Sequence, residues 1–116
     1  MRHRKTRPTL DRKAAPRNAM LRQMVASVVL TGRIVSTTAK VRAVQPLVER
    51  AVTTAKSNTL AARRQLMRTL PEAAVNKLLT TWGPKFKERK GGYTRRMLIG
   101  QRQGDGGHQA MLEFID

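Results

Sequence analysis

The basic residues of this chain are crowded into two blocks that bracket a milder, apolar middle, and this limits where a core can form. Eight lysines and arginines fall between Met1 and Arg22, opposed only by Asp11. Seven more fall between Lys85 and Arg102, opposed only by Glu88. Like charges at that density repel one another in a compact state. The middle carries the apolar periodicity, and the excess calls for a polyanion. With 24 basic and 7 acidic residues among 116, the formal net charge is +17. Neutralising nucleic-acid phosphates releases condensed counterions; an anionic membrane surface is the other large polyanion open to such a chain.

Residues 1–15 lack an apolar period and are read as an extended basic arm, disordered without a partner. Residues 16–116 are read as a single α+β domain. Its first helix carries Met20, Leu21, Met24, Val25, Val28 and Val29 at three- and four-residue steps. Pro16 suits the first turn and Gly32 a left-handed exit. Ile34–Thr37 is a short β-rich run, after which Thr37 or Thr38 is placed to cap a helix bearing Val41, Val44, Val48, Ala51, Val52 and Ala55. Pro46 should kink that helix or divide it in two. Asn58 or Thr59 would cap a third helix, Leu60 to about Arg68. Pro71 would start a fourth, striped by Ala74, Val75, Leu78, Leu79 and Trp82 and stopped by Gly83-Pro84. After the turn at Gly91-Gly92, Tyr93–Ile99 and Gln109–Ile115 read as strands joined through Gly104-Asp105-Gly106-Gly107. The expected domain has about four helices and a small C-terminal sheet: a hairpin, with the Ile34 strand available as a third member.

The inventory argues against an enzyme. There is no cysteine, which excludes disulfides, zinc knuckles and thiol catalysis. His3 lies in the arm and His108 follows a glycine-rich turn, so neither has a positioned partner. The seven carboxylates are scattered, without the spacing of an acid/base couple or a metal cage. Glu72 falls in a helix first turn and Asp105 in a turn. No phosphate loop or dinucleotide fingerprint occurs. No metal, cofactor or small-molecule substrate is expected. No stretch reaches the ~20 apolar residues of a membrane span, and the arm lacks the apolar segment of a secretory signal. The arm shares its arginine content with organellar transit peptides, but that character recurs far along the chain.

The basic blocks supply the candidate contacts. In the arm and just after it these are Arg2, His3, Arg4, Lys5, Arg7, Arg12, Lys13 and Arg17. In the second block they are Lys90, Tyr93, Thr94, Arg95, Arg96 and Arg102, with Tyr93 open either to stacking on a base or to packing in the hairpin. Arg63 and Arg64 point about 100° apart on a helix, so one would bind phosphate while the other is solvated. Four aromatic residues are too few for a platform that stacks successive bases, and Trp82, Met20 and Met24 read as core. Without a zinc-finger, zipper or helix-turn-helix pattern, an arm and a dispersed basic surface favour folded RNA, bound by shape and phosphate.

Several segments resemble one family. Met1-Arg2-His3-Arg4-Lys5, Gly32 through Thr38, Lys40, Pro46-Leu47-Val48-Glu49, Ala55-Lys56 and Arg63-Arg64 are similar to the L-seventeen family of bacterial large-subunit ribosomal proteins. So are Gly91-Gly92-Tyr93-Thr94-Arg95, Gly100, Arg102, Gly104-Asp105 and Met111-Leu112-Glu113. The chain departs from the pattern at Asp11, where the family has asparagine, and at Ala14-Ala15-Pro16, where it is often serine-rich. Asp11 is expected to point away from phosphate or pair with Arg12. The resemblance implies a cytoplasmic, ribosomal location, contact with large-subunit ribosomal RNA and neighbouring ribosomal proteins, and a place near the rim of the nascent-chain exit tunnel. The competing readings are an architectural nucleoid DNA-binding protein and a peripheral membrane protein, the latter disfavoured by an arm without aromatics.

Overall fold

The apolar stripe from Met20 to Val29 lies on an 18-residue helix, α1 (Ala14–Thr31), in a computed structural model that describes Leu10, residues 13–101, Gly104 and residues 106–115. The helix starts two residues earlier than expected: Ala14 and Ala15, assigned to the arm on sequence grounds, open its first turn, and Pro16 follows where no backbone donor is needed. Residues 1–9, Asp11 and Arg12 lie outside the described residues. Val25, Val28 and Val29 are buried, and Met24 packs against the core from its margin. Gly32 closes the helix at φ 92°, and its N–H donates to the Val28 carbonyl at 2.7 Å.

Strand β1 (Arg33–Thr37) leads directly into α2 (Thr38–Lys56). Thr37 occupies the N-cap position but makes no side-chain cap, and the Thr38 hydroxyl instead donates to the His108 carbonyl at 3.3 Å. Helix α2 runs through Pro46 as one element of 19 residues, so the alternative of two shorter helices does not occur. The proline ring lies on the exposed side, and the opposite side buries Val41, Val44, Val48 and Val52 completely. Tertiary packing of that valine face outweighs the loss of one helical hydrogen bond. Accordingly α2 packs against α1, the later helices and all three strands.

Thr59 caps α3 (Leu60–Met67), accepting from the Ala62 N–H at 3.1 Å. Helix α4 (Glu72–Lys77) has Glu72 in its first turn, as expected. It does not stop at Gly83-Pro84. It widens into a π-helical segment, Leu78–Trp82, closed by the Gly83 N–H on the Leu78 carbonyl, and continues as a helical turn over Gly83–Lys85. Pro84 takes an early position in that turn, where its missing donor matters least. Gly83 has an ordinary helical φ of −57° and serves close packing. A Cβ there would lie 3.0 Å from the Leu78 carbonyl oxygen and 3.1 Å from that of Ala55, at the end of α2. The π segment also brings Trp82 to the core, where its indole N–H donates to the Val29 carbonyl at 2.8 Å and its ring stacks 4.1 Å from Phe114.

Strands β2 (Thr94–Gln101) and β3 (His108–Phe114) form the expected hairpin, and β1 joins it on the other side of β3. The order is β1-β3-β2, antiparallel throughout, with a bulge between Leu98 and Gly100. Along β3, Ala110, Leu112 and Phe114 face the helices. The opposite face aligns Arg33, Glu113 and Arg95 in one cross-strand row and Val35, Met111 and Met97 in the next.

Candidate nucleic-acid interface

Tyr93 and Thr94, read as part of a contact area, form an internal fastening. Gly91 and Gly92 adopt φ 144° and 63°, open to glycine and little else, and turn the chain into β2. Tyr93 is then 2% exposed and Thr94 8% exposed. The Tyr93 ring sits 5.3 Å from that of Phe86, and its hydroxyl receives Lys56 Nζ at 3.1 Å and lies 3.4 Å from the Thr53 hydroxyl. Lys56 Nζ also donates to the Arg89 carbonyl. The Thr94 N–H and hydroxyl both donate to Glu49 Oε1, at 3.2 and 2.8 Å, and Gln45 Nε2 donates to the Thr94 hydroxyl at 3.2 Å. Burial alone would raise the Tyr93 phenol, but the hydrogen bonds from Thr53 and Lys56, with the Lys56 charge, bring it below its ordinary value. The Tyr93 and Thr94 side chains are buried and hydrogen-bonded within the protein, which for Tyr93 is the packing arrangement.

The adjacent arginines do not share a surface, because successive strand residues point to opposite faces. Arg95 lies on the outer face, paired with Glu113 at 2.5 Å. Arg96 is turned to the helix side, where Nη1 donates to Gln45 Oε1 at 3.2 Å. The expected contact area of Arg95, Arg96 and Tyr93 therefore separates into three environments. Arg102 lies outside the described residues. Lys90 is exposed in the loop before Gly91, and Lys40 is half-buried in the first turn of α2. Arg63 is tied to α4 at the surface, donating to Asn76 at 2.8 Å and lying 3.7 Å from Glu72, and Arg64 is exposed. Lys13 is exposed at the start of α1. Arg2, His3, Arg4, Lys5, Arg7 and Arg12 lie outside the described residues.

A concentration of charge that the sequence reading did not assemble lies between α1, α2 and the end of α3. Arg17 and Arg22 from α1, Arg42 and Arg50 from α2, and Arg68 after α3 surround a groove of about 1000 Å³. Its floor includes Leu21, Val25, Leu47 and Leu66. Among the described residues no carboxylate lines it, and none of the five arginines is in an ion pair or a side-chain hydrogen bond. Helix α1 has no acidic residue in its first turn to offset Arg17 or the positive end of the helix dipole. Of the five, only Arg17 was a candidate. A signal existed in α2: Arg42, Pro46, Arg50 and Thr54 recur every four residues beside the valine stripe, forming one row on the helix.

Among the described residues no three His, Asp or Glu side chains come together as a metal site, and no helix is long and apolar enough to cross a membrane. His108 is exposed, at the start of β3. The domain is small, basic and α+β, with five arginines around one groove and with Glu49, Glu72 and Glu113 each paired within the protein. Residues 20–115 match the family model described as Ribosomal protein L17. The chain is 47% identical over 117 residues to the large ribosomal subunit protein bL17 of Solibacter usitatus, a match covering 99% of this chain and 77% of that protein. It is 44% identical over 108 residues to bL17 of Borrelia turicatae, covering 92% of this chain and 87% of that one. With bL17 of Thermomicrobium roseum the identity is 41% over 116 residues, and 99% of both chains is covered. The chain belongs to the ribosomal protein L17 family. That is a family of structural constituents and not of enzymes, in agreement with the chemistry read from the sequence.

Proposed function

We propose that the chain is a constituent of the large ribosomal subunit that holds large-subunit ribosomal RNA by neutralising its phosphates. One observation carries the reading: five arginines from three segments surround one groove, unanswered by any lining carboxylate among the described residues. Unanswered charge of one sign opposes the compact state, and a polyanion removes that repulsion while releasing counterions. Lys13, Lys40, Arg64 and Lys90 extend the basic surface beyond the groove. The arm residues Arg2, His3, Arg4, Lys5, Arg7 and Arg12 thread into the RNA, Arg95 and Arg96 supply phosphate contacts from the hairpin, and Arg102 adds another. Neighbouring large-subunit proteins as partners, a cytoplasmic ribosome as location and a place near the rim of the nascent-chain exit tunnel follow from the family resemblance.

The test is competition at one salt concentration between folded large-subunit RNA fragments and duplex DNA of equal length. Folded RNA is expected to win, and the protein is expected to sediment with large subunits after a moderate salt wash. Duplex DNA that matches the RNA would favour the architectural DNA-binding alternative and refute this one.

A further inference from the structure

We infer that the groove between α1 and α2 takes an unpaired nucleotide of RNA, with its base laid on the apolar floor and its flanking phosphates on the rim arginines. The inference rests on the RNA-binding reading above and names what the groove selects.

Rim and floor differ in chemistry. The rim carries Arg17, Arg22, Arg42, Arg50 and Arg68. On the floor, Leu21 and Leu47 are only half-buried and pack against the core from outside it. A duplex presents phosphates and sugars outward. It would satisfy the rim and leave those leucines uncovered, whereas a base turned out of its stack has an apolar face to cover them. Arginine forks suit both tasks, since they bind phosphate and stack flat on a base. The groove's volume, about 1000 Å³, is at the upper end of the ~300–1,000 Å³ of small-ligand sites.

The polar groups of the groove fit the edge of a base. Asn18 and Gln65 line it, and neither side-chain amide has a hydrogen-bond partner among the described residues. Pro46 adds an acceptor. Its nitrogen carries no hydrogen, so the Arg42 carbonyl one turn earlier loses its usual helical donor. Arg42 and Pro46 both line the groove, and in the inferred complex that carbonyl, left without a helical donor, accepts from an exocyclic amine or ring N–H of a base. This gives the proline inside α2 a use that the fold alone does not.

The test compares two RNA hairpins, identical except that one carries a single unpaired nucleotide, with 2-aminopurine at that position as reporter. The full chain is used. The bulged hairpin is expected to bind about tenfold more tightly, the worth of roughly one well-covered apolar group, with a change in reporter fluorescence. Pro46→Ala restores a helical donor and leaves the fold at least as stable, yet it is expected to erase most of that preference. Arg42→Gln and Arg50→Gln are expected to weaken both hairpins alike and to lower the salt slope by about 0.7–0.9 each. Equal binding of the two hairpins, with the arginine effects intact, would overturn the nucleotide pocket and leave the RNA-binding reading standing. Salt slopes unmoved by the arginine variants would overturn both. Polyglutamate displacing the bulged hairpin at matched charge would assign the groove to an acidic peptide and overturn the inference.

Discussion

Lys56 Nζ lies 3.1 Å from the hydroxyl of Tyr93 and 5.2 Å from the centre of its ring, so the ammonium addresses the phenolic oxygen rather than the ring face. The pair joins the last turn of α2 to the entrance of β2, and its chemistry can be titrated.

The folded Tyr93 phenol ionises below its ordinary value of about 10. The unfolded chain therefore binds more protons in the interval between the two values, and this group's contribution to stability rises with pH through that interval. It is fully present above about 10 and absent below the folded value. The chain has one tyrosine, so tyrosinate absorbance follows this group alone. Its midpoint is expected below that of unfolded protein, and Lys56→Met is expected to raise it. A midpoint indifferent to Lys56 would remove the lysine from the account.

Glu49 accepts both polar hydrogens of Thr94 in a mostly buried setting. Glu49→Ala should cost about 1–3 kcal/mol for each donor left unsatisfied, and Glu49→Gln, which keeps an acceptor, should cost less. Urea denaturation separates them, and equal losses would show that these hydrogen bonds are not what the carboxylate contributes.

Gly83→Ala tests the close approach of the π segment to α2. On an exposed helix the change would gain up to about 1 kcal/mol. Here the new Cβ meets two carbonyl oxygens at 3.0 and 3.1 Å, and a loss of about 1–3 kcal/mol is expected. Thermal unfolding followed by Trp82 fluorescence reads the sign directly, and a stabilised variant would contradict the packing described.

Deleting residues 1–12 should leave the helical signal in circular dichroism unchanged while flattening the salt dependence of RNA binding. An unaltered slope would deny the arm its role in phosphate contact.

Much of the fold was legible because the relevant signals are local. The valine stripe of α2, the left-handed exit at Gly32, the cap at Thr59 and the two hairpin strands each declare themselves within a few residues. The π segment did not, since one extra residue in a helical turn leaves the apolar spacing almost unchanged. Pro46 and Pro84 were read as interruptions because proline's local cost is plain, while the packing that outweighs it is spread over distant partners. The interface was less legible still. Tyr93 looked available because arginines follow it, but Lys56 and Phe86, which enclose it, lie elsewhere in the chain. Arg95 and Arg96 look like one patch in sequence and point apart for the period-two reason that applies to every strand. The arginine groove draws on three helical segments, and only its α2 row was visible as a spacing.

Strand β2 keeps only its first residue in the interior; the rest of it, from Arg95 to Gln101, is exposed and held by its backbone ladder to β3. Mechanically β2 is the outer plank of a stiff sheet: it is fixed along its length to β3, whose Ala110, Leu112 and Phe114 sit in the core, and its first residue is tied to α2 through Glu49. A load on its exposed edge passes through β3 into the core, so a neighbour that docks there meets a firm edge and must itself adapt.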